Sequence, residues 1–310
     1  IRRVEERIAE LYSRQEMRCP VHLSIGQEAV PVGVSAHLGK TDYVMGGHRS
    51  HAHYLAQGGD LKAMMAELHG KRTGCTAGKG GSMHLIDLDV GFLGATPIVA
   101  SVIPIATGAA FSAQMRKTRQ VAVVYFGDGS IEEGIFHESL NFAALKSLPI
   151  VYVCENNGYS VYSPMDVRQP KDRKIHELAR GYGMEAYGAN GNDMQAISHY
   201  AEKAVTRARE GLGPTLLEFE TYRFREHCGP NCDDALGYRP AGELAAKIPN
   251  GPLVHLEKKL RASKQIDDQT IAQFEAQIKS EIDEAIDFAW ESPSADPETV
   301  FDHIYAPASL

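Results

Sequence analysis

The chain has 310 residues, 43% hydrophobic and 23% charged, which is enough material to bury a sizeable core. Its formal charge of −8 argues against a sequence-blind nucleic-acid binder, which needs a basic surface. No apolar run reaches membrane-span length, and no secretory-signal pattern opens the sequence.

Ile1, Val4, Ile8 and Leu11 recur at helical spacing with charges between them, so the chain opens on an amphipathic helix. The stretch from Cys19 to about Leu93 is rich in Gly and His and weakly periodic. One helix is expected in it, Asp60 to Gly70, with Asp60 as N-cap and Gly70 at the end. From Val121 the pattern alternates. Val121–Phe126 is an apolar run ending in Gly127-Asp128-Gly129, followed by a helix from about Glu133 to Leu145. Ile150–Cys154 is a second apolar run and ends in Glu155-Asn156-Asn157-Gly158. Helices near Ile175–Ala179 and Asp193 to about Glu210, then a strand at Thr215–Phe219, complete the series. Short apolar strands separated by helices predict an α/β fold, a parallel sheet covered by helices on both faces. The part after about residue 240 reads as a charged helical extension, with a long stretch near Gln265–Phe288, lying across one domain that spans 1–310. Five scattered cysteines (Cys19, Cys75, Cys154, Cys228, Cys232) predict reduced thiols. The expected location is cytoplasmic, or an organelle matrix if a leader preceded Ile1.

Two apolar strands end in metal-competent residues. Ligands of open α/β sheets bind at the carboxyl ends of strands, so Asp128 and Asn157 should reach one crevice. Asp128 offers a hard anionic oxygen and Asn157 a neutral one, as Mg²⁺ accepts beside phosphate oxygens. The glycines flanking Asp128 let backbone N–H groups approach phosphate at the start of the next helix. Either motif alone is equally an ordinary strand-end turn; the pair points to a site.

The stretch GDGSIEEGIFHESLNFAALKSLPIVYVCENNGY resembles the thiamine-diphosphate motif, which opens Gly-Asp-Gly and closes Asn-Asn. It is most similar to the α subunits of the decarboxylating component of 2-oxo acid dehydrogenase complexes. GQEAV, GHRSHAHYLAQG, MMAELHGKRTG, GKGGSMH and TYRFREH resemble further blocks of that family in the same order, and the second and third look closest to its acetoin dehydrogenase branch. The resemblance implies a thiamine-diphosphate-binding fold with Mg²⁺ on the side chains of Asp128 and Asn157 and the carbonyl of Tyr159. Gly129 and Ser130 would line the diphosphate, His48 and Arg49 would grip it, and Val99 would face the aminopyrimidine. His227 matches the histidine near the cofactor in a late loop, and His51 lies where some members place a residue near the reacting carbon, so both are catalytic candidates. An arginine at 49 suits the task, because its fork grips phosphate with two parallel bonds.

The chain departs from the family at two places. His48 replaces a common tyrosine, and the loop Glu226–Asp234 carries Cys228 and Cys232 where pyruvate-specific members have a serine-containing regulated loop. His227, Cys228, Cys232 and Asp233 could also be read as a zinc cluster, and His48, His51 and His53 as metal ligands. Without a second Cys/His pair the zinc spacing is weak, and Arg49 inside the histidine series would repel a cation. Gly78-Lys79-Gly80-Gly81 lacks the Ser/Thr and glycine spacing of a nucleotide loop and reads as a mobile or tightly turned structural loop.

By resemblance, activation of the cofactor needs a glutamate from a pyrimidine-binding domain, for which Glu28 and Glu133 are poorly placed. The chain is therefore expected to act with a β subunit, as two α and two β chains, cleaving a 2-oxo acid or acyloin beside its carbonyl. A lipoyl-bearing acyltransferase is the expected acceptor of the resulting unit. A two-subunit transketolase-like or carboligating enzyme, and a non-catalytic cofactor-binding subunit, are the alternatives.

Overall fold

In the computed structural model, which describes residues 1–17, 19–302, 304 and 305, eight strands are formed. They are β1 (Tyr43–Gly46), β2 (Phe92–Ala95), β3 (Ala122–Gly127), β4 (Ile150–Asn156), β5 (Tyr159–Ser160), β6 (Ser163–Pro164), β7 (Glu185–Asn190) and β8 (Thr215–Glu220). Six of them make one parallel sheet in the order β2-β1-β3-β4-β8-β7, while β5 and β6 form a small antiparallel hairpin. The expected α/β architecture is the observed one.

Alternation along β3 sorts the core. Val121, Val123 and Tyr125 pack on one face with Val151, Val153 and the helices Arg2–Tyr12, Ala29–Ser35, Leu61–Leu68 and Met194–Arg209. Ala122, Val124 and Phe126 pack on the other, against Ile103, Ala106 and Ala110 of helix Val102–Met115 and Phe136 and Leu140 of helix Gly134–Lys146. Because both faces are covered, these strands are apolar throughout, the pattern that made them visible in the sequence. Strand order reverses between β1 and β3: the chain runs outward to β2, then returns to the far side of β1. A crevice opens at such a reversal, beyond the carboxyl ends of the strands.

The segment from Cys19 to Leu93 holds more than the single helix expected. Helices Ala29–Ser35 and His51–Ala56 and strands β1 and β2 also lie in it. These pieces are four to seven residues long, too short to show a period. The helix after Asp60 forms as read, its N-cap carboxylate accepting from Lys62 N at 2.8 Å. The C-terminal helix Asp268–Glu291 buries Ile282, Ala285, Ile286 and Ala289 against helix Leu61–Leu68, and Glu275 pairs with Arg3 at 2.6 Å. No described helix is long and apolar enough to cross a membrane.

The Gly78–Gly81 turn does bind an anion, but the anion belongs to the chain. Glu67, 1% exposed, accepts from the backbone N–H groups of Thr76 (2.8 Å), Gly78, Gly80 and Gly81 (each 2.9 Å). Gly78 has φ +76°, and a Cβ there would sit 2.6 Å from the carbonyl carbon of Gly70. Glu67→Gln would turn an amide donor toward two of these donors, and should lower stability by about 2–4 kcal/mol in a urea titration. An unchanged midpoint would refute this account of the turn.

Candidate active site

The carboxyl ends of β1, β3 and β4 deliver three loops to one cavity of about 190 Å³. Gly47, His48 and Arg49 follow β1, Asp128–Ser130 follow β3, and Asn157 and Tyr159 follow β4. Phe126 and Cys154 are register partners, so Asp128 and Asn157 leave the sheet side by side. Asn157 N donates to Asp128 Oδ1 at 3.3 Å, and Asn157 Oδ1 accepts from Tyr159 N at 3.1 Å. Asp128 is 1% exposed, and burial pushes its carboxyl up while Arg168, its ion-pair partner, pulls it back down. The Asn157 amide donates to Gln27 Oε1 at 3.2 Å.

Of the residues singled out in the sequence, His48, Arg49, Val99, Asp128, Gly129, Ser130, Asn157, Tyr159 and His227 all line this cavity. His51 does not. Its ring is fully buried behind the wall, 2.6 Å from Ser82 Oγ and 3.2 Å from a Glu5 carboxylate oxygen. His51 starts a helix, and its position on the first turn faces it toward the N-terminal helix. Val99 and Ile98 are exposed and form an apolar lip. The Tyr159 phenol leaves the cavity to donate to Glu243 at 2.7 Å.

Among the lining residues, His22, Gln27 and Glu155 escaped the sequence reading, and His53 was read there only as a possible metal ligand. His22 joins His48 and His227 in a triangle of rings with centroids 4.7, 5.1 and 5.2 Å apart. Burial, then the charge of Arg49, lowers their pKa values to about 2 (His22), 4 (His48) and 3 (His227), so all three are neutral at pH 7. Arg49 is held by Leu23 O at 2.7 Å and His227 O at 3.1 Å; burial lowers its pKa to about 9, which leaves it charged. His53, stacked on Tyr125, meets Glu155 at 2.9 Å on the cavity wall. Gln27 sat inside a quoted block and Glu155 beside the Asn-Asn pair, so both were findable; nothing near His22 marked it.

The rival metal readings separate in space. Asp233 is engaged by Arg223, Arg239 and Tyr238, while Cys228 and Cys232 are exposed. His48, His51 and His53 face the ring triangle, Ser82 and Glu155 respectively.

A parallel sheet whose order reverses beside a cavity lined by a buried carboxylate, an amide, a turn of small residues and a buried arginine defines an α/β protein with its crevice at the carboxyl ends of the strands. The family model for the dehydrogenase E1 component matches residues 1–298. The chain is 38% identical over 305 residues to the α subunit of acetoin:2,6-dichlorophenolindophenol oxidoreductase of Bacillus subtilis, covering 98% of this chain and 90% of that one. It is 38% identical over 311 residues to a chloroplastic pyruvate dehydrogenase E1 α subunit of Arabidopsis thaliana, with 98% and 72% covered. Against the acetoin:2,6-dichlorophenolindophenol oxidoreductase α subunit of Cupriavidus necator it is 36% identical over 306 residues, with 98% and 91% covered. The chain belongs to the dehydrogenase E1 component family, as an α subunit of the thiamine-diphosphate-dependent 2-oxo acid dehydrogenases.

Proposed function

We propose that this cavity holds the diphosphate of thiamine diphosphate through Mg²⁺, and that the chain, one diphosphate-binding domain with a helical extension, cleaves a 2-oxo acid or acyloin beside its carbonyl. The observation that carries the reading is the placement of Asp128, 1% exposed, beside Asn157 at adjacent strand ends in a cavity that also contains Arg49. The donor set fits a hard cation: one buried anionic oxygen and one amide oxygen, with room for phosphate oxygens. Asp128, Asn157 and the Tyr159 carbonyl would hold the metal, while Gly129, Ser130, His48, Arg49 and His227 would take the diphosphate. When bound, thiamine diphosphate supplies the nucleophilic carbon and the electron sink. The chain's residues anchor and orient it, and Val99 with Ile98 would shield the ring from water.

Glu155 is the one glutamate among the described residues lining the cavity, and His53 already holds it. This supports an activating carboxylate supplied by the β subunit, with two copies of each chain in the working enzyme. Pyruvate or acetoin as substrate follows the names of the relatives, and a lipoyl-bearing acyltransferase in the cytoplasm is the proposed acceptor. His227 would carry a proton near the substrate. His51 remains a catalytic candidate only through Ser82, whose hydroxyl it touches.

The test uses the chain co-expressed with its β partner, Mg²⁺, thiamine diphosphate and an artificial electron acceptor, with pyruvate, branched 2-oxo acids and acetoin offered in turn. Turnover should need both subunits, and Asp128→Ala should reduce it at least about 100-fold, because buried charge-assisted contacts carry several kcal/mol. An Asp128→Ala enzyme with wild-type turnover would refute the assignment.

A further inference from the structure

Asp128 is not left as a bare anion. Arg168 reaches it from the segment beyond the β5–β6 hairpin, and the same guanidinium pairs with Glu132 and donates through Nε to Ser163 O at 3.0 Å. The Arg168 side chain is 9% exposed while its neighbour Val167 is 72% exposed, and Met165 of the same short helix packs partly against the core. The hairpin itself is strained, since Val161, a β-branched residue, has φ +55°. It lies directly on the Asp128–Ser130 turn: a Cβ on Gly129 would come 2.6 Å from Ser160 Oγ. A strained surface segment thus lies over the strand-end turn, held by Arg223 on Val161 O at 3.1 Å, by Met165 N on Gly158 O at 2.9 Å and by Arg168, and of these Arg168 also holds the carboxylate assigned above to the metal.

We propose that Arg168 is an internal counter-ion that competes with the cation for Asp128 and so sets how much Mg²⁺ the protein needs to retain its cofactor. The inference rests on the reading of Asp128 as a metal ligand. A carboxylate this buried is expensive without a positive partner. Arg168 keeps it paired and in place, and a divalent ion takes over that role when it binds. The exchange costs the ion the Arg168–Asp128 contact, while Glu132 and Ser163 O still hold the guanidinium nearby. Arg168 is therefore a positioning residue, one that weakens cation binding while keeping the ligand ready.

The experiment measures bound thiamine diphosphate, converted to thiochrome after rapid filtration of the complete enzyme, as a function of Mg²⁺ concentration. Arg168→Met, which keeps the length and removes the charge, should lower the half-saturating Mg²⁺ concentration roughly tenfold, and Arg168→Lys should restore most of the wild-type requirement. A requirement in Arg168→Met equal to or above that of the wild type, with Asp128→Asn having lost its Mg²⁺ response, would overturn the proposal and leave the metal assignment standing. Retention in Asp128→Asn with the wild-type Mg²⁺ response would instead overturn the metal assignment itself. Thermal unfolding of each variant with cofactor present identifies a misfolded Arg168→Met, in which case Arg168→Gln takes its place under the same criteria.

Discussion

Asp233→Asn should destabilise the protein by about 3–5 kcal/mol, the range for removing one partner of a buried ion pair. Asp233 is 1% exposed and sits between two buried guanidinium groups, Arg223 Nη1 at 3.3 Å and Arg239 Nη1 at 3.1 Å, with the Tyr238 hydroxyl on the same carboxylate. Arg239 has few other anchors. Its guanidinium lies over the rings of Tyr222, Tyr238 and Tyr159, 4.8, 5.3 and 5.5 Å from their centroids. Ring faces attract a cation but do not replace a full negative charge. Asparagine would therefore leave two positive charges in a space that water does not reach. The effect should extend to the site, because Arg223 starts the segment that carries His227 and Tyr159 lies in the same cage. Urea titration checks the stability, and cofactor retention at a denaturant-free temperature checks the coupling. A loss below about 1 kcal/mol would mean that the cage holds Arg239 without its counter-ion.

How much of this was legible depended on whether the chemistry was local. Strands β3, β4 and β8 showed as apolar runs because they are covered on both faces. Strand β7, at the sheet edge, alternates buried and exposed residues around Gly188 and passed unseen. Asp128 and Asn157 were readable because each follows its strand directly, so strand position alone predicts where the side chain goes. Arg168 was not, since its contact with Asp128 joins turns forty residues apart and depends on how the hairpin folds back. His22 is the same case. It meets His48 and His227 only because the loop before Gly26 runs alongside the late loop, with Gly229 N donating to Val21 O at 2.8 Å and Phe224 N to Ile25 O at 2.9 Å. The Asp60 cap and the Glu67 turn mark the contrast: the cap is a one-residue rule, whereas the turn needs a carboxylate from a helix eleven residues away from Gly78.

The histidine triangle makes the second large effect one of pH. His22, His48 and His227 have folded-state pKa values of about 2, 4 and 3, below the usual 6.5, because burial and then Arg49 oppose a second charge. A histidine with a lowered folded pKa takes its proton first in the unfolded chain. Stability should therefore be intact above pH 6.5 and fall as pH drops through 6.5 toward 4. At pH 5 each ring alone would account for about 2 kcal/mol, but their partial access to solvent reduces the sum, and about 3 kcal/mol in all is expected. His22→Asn should flatten the slope between pH 7 and 5, and a slope unchanged by that substitution would remove the triangle as its cause. The same geometry fixes the sign of proton linkage to the ligand. A diphosphate placed against His48, His227 and Arg49 brings negative charge to two rings that burial and positive neighbours now hold low, and so raises the pKa of both. Binding should take up protons rather than release them, and strengthen as pH falls toward 6, provided the fold is intact. Calorimetric titration of thiamine diphosphate with Mg²⁺ in two buffers of different ionisation enthalpy reads this uptake directly. Identical heats in both buffers would show that the rings stay neutral against the phosphate, leaving Arg49 and the metal to balance its charge.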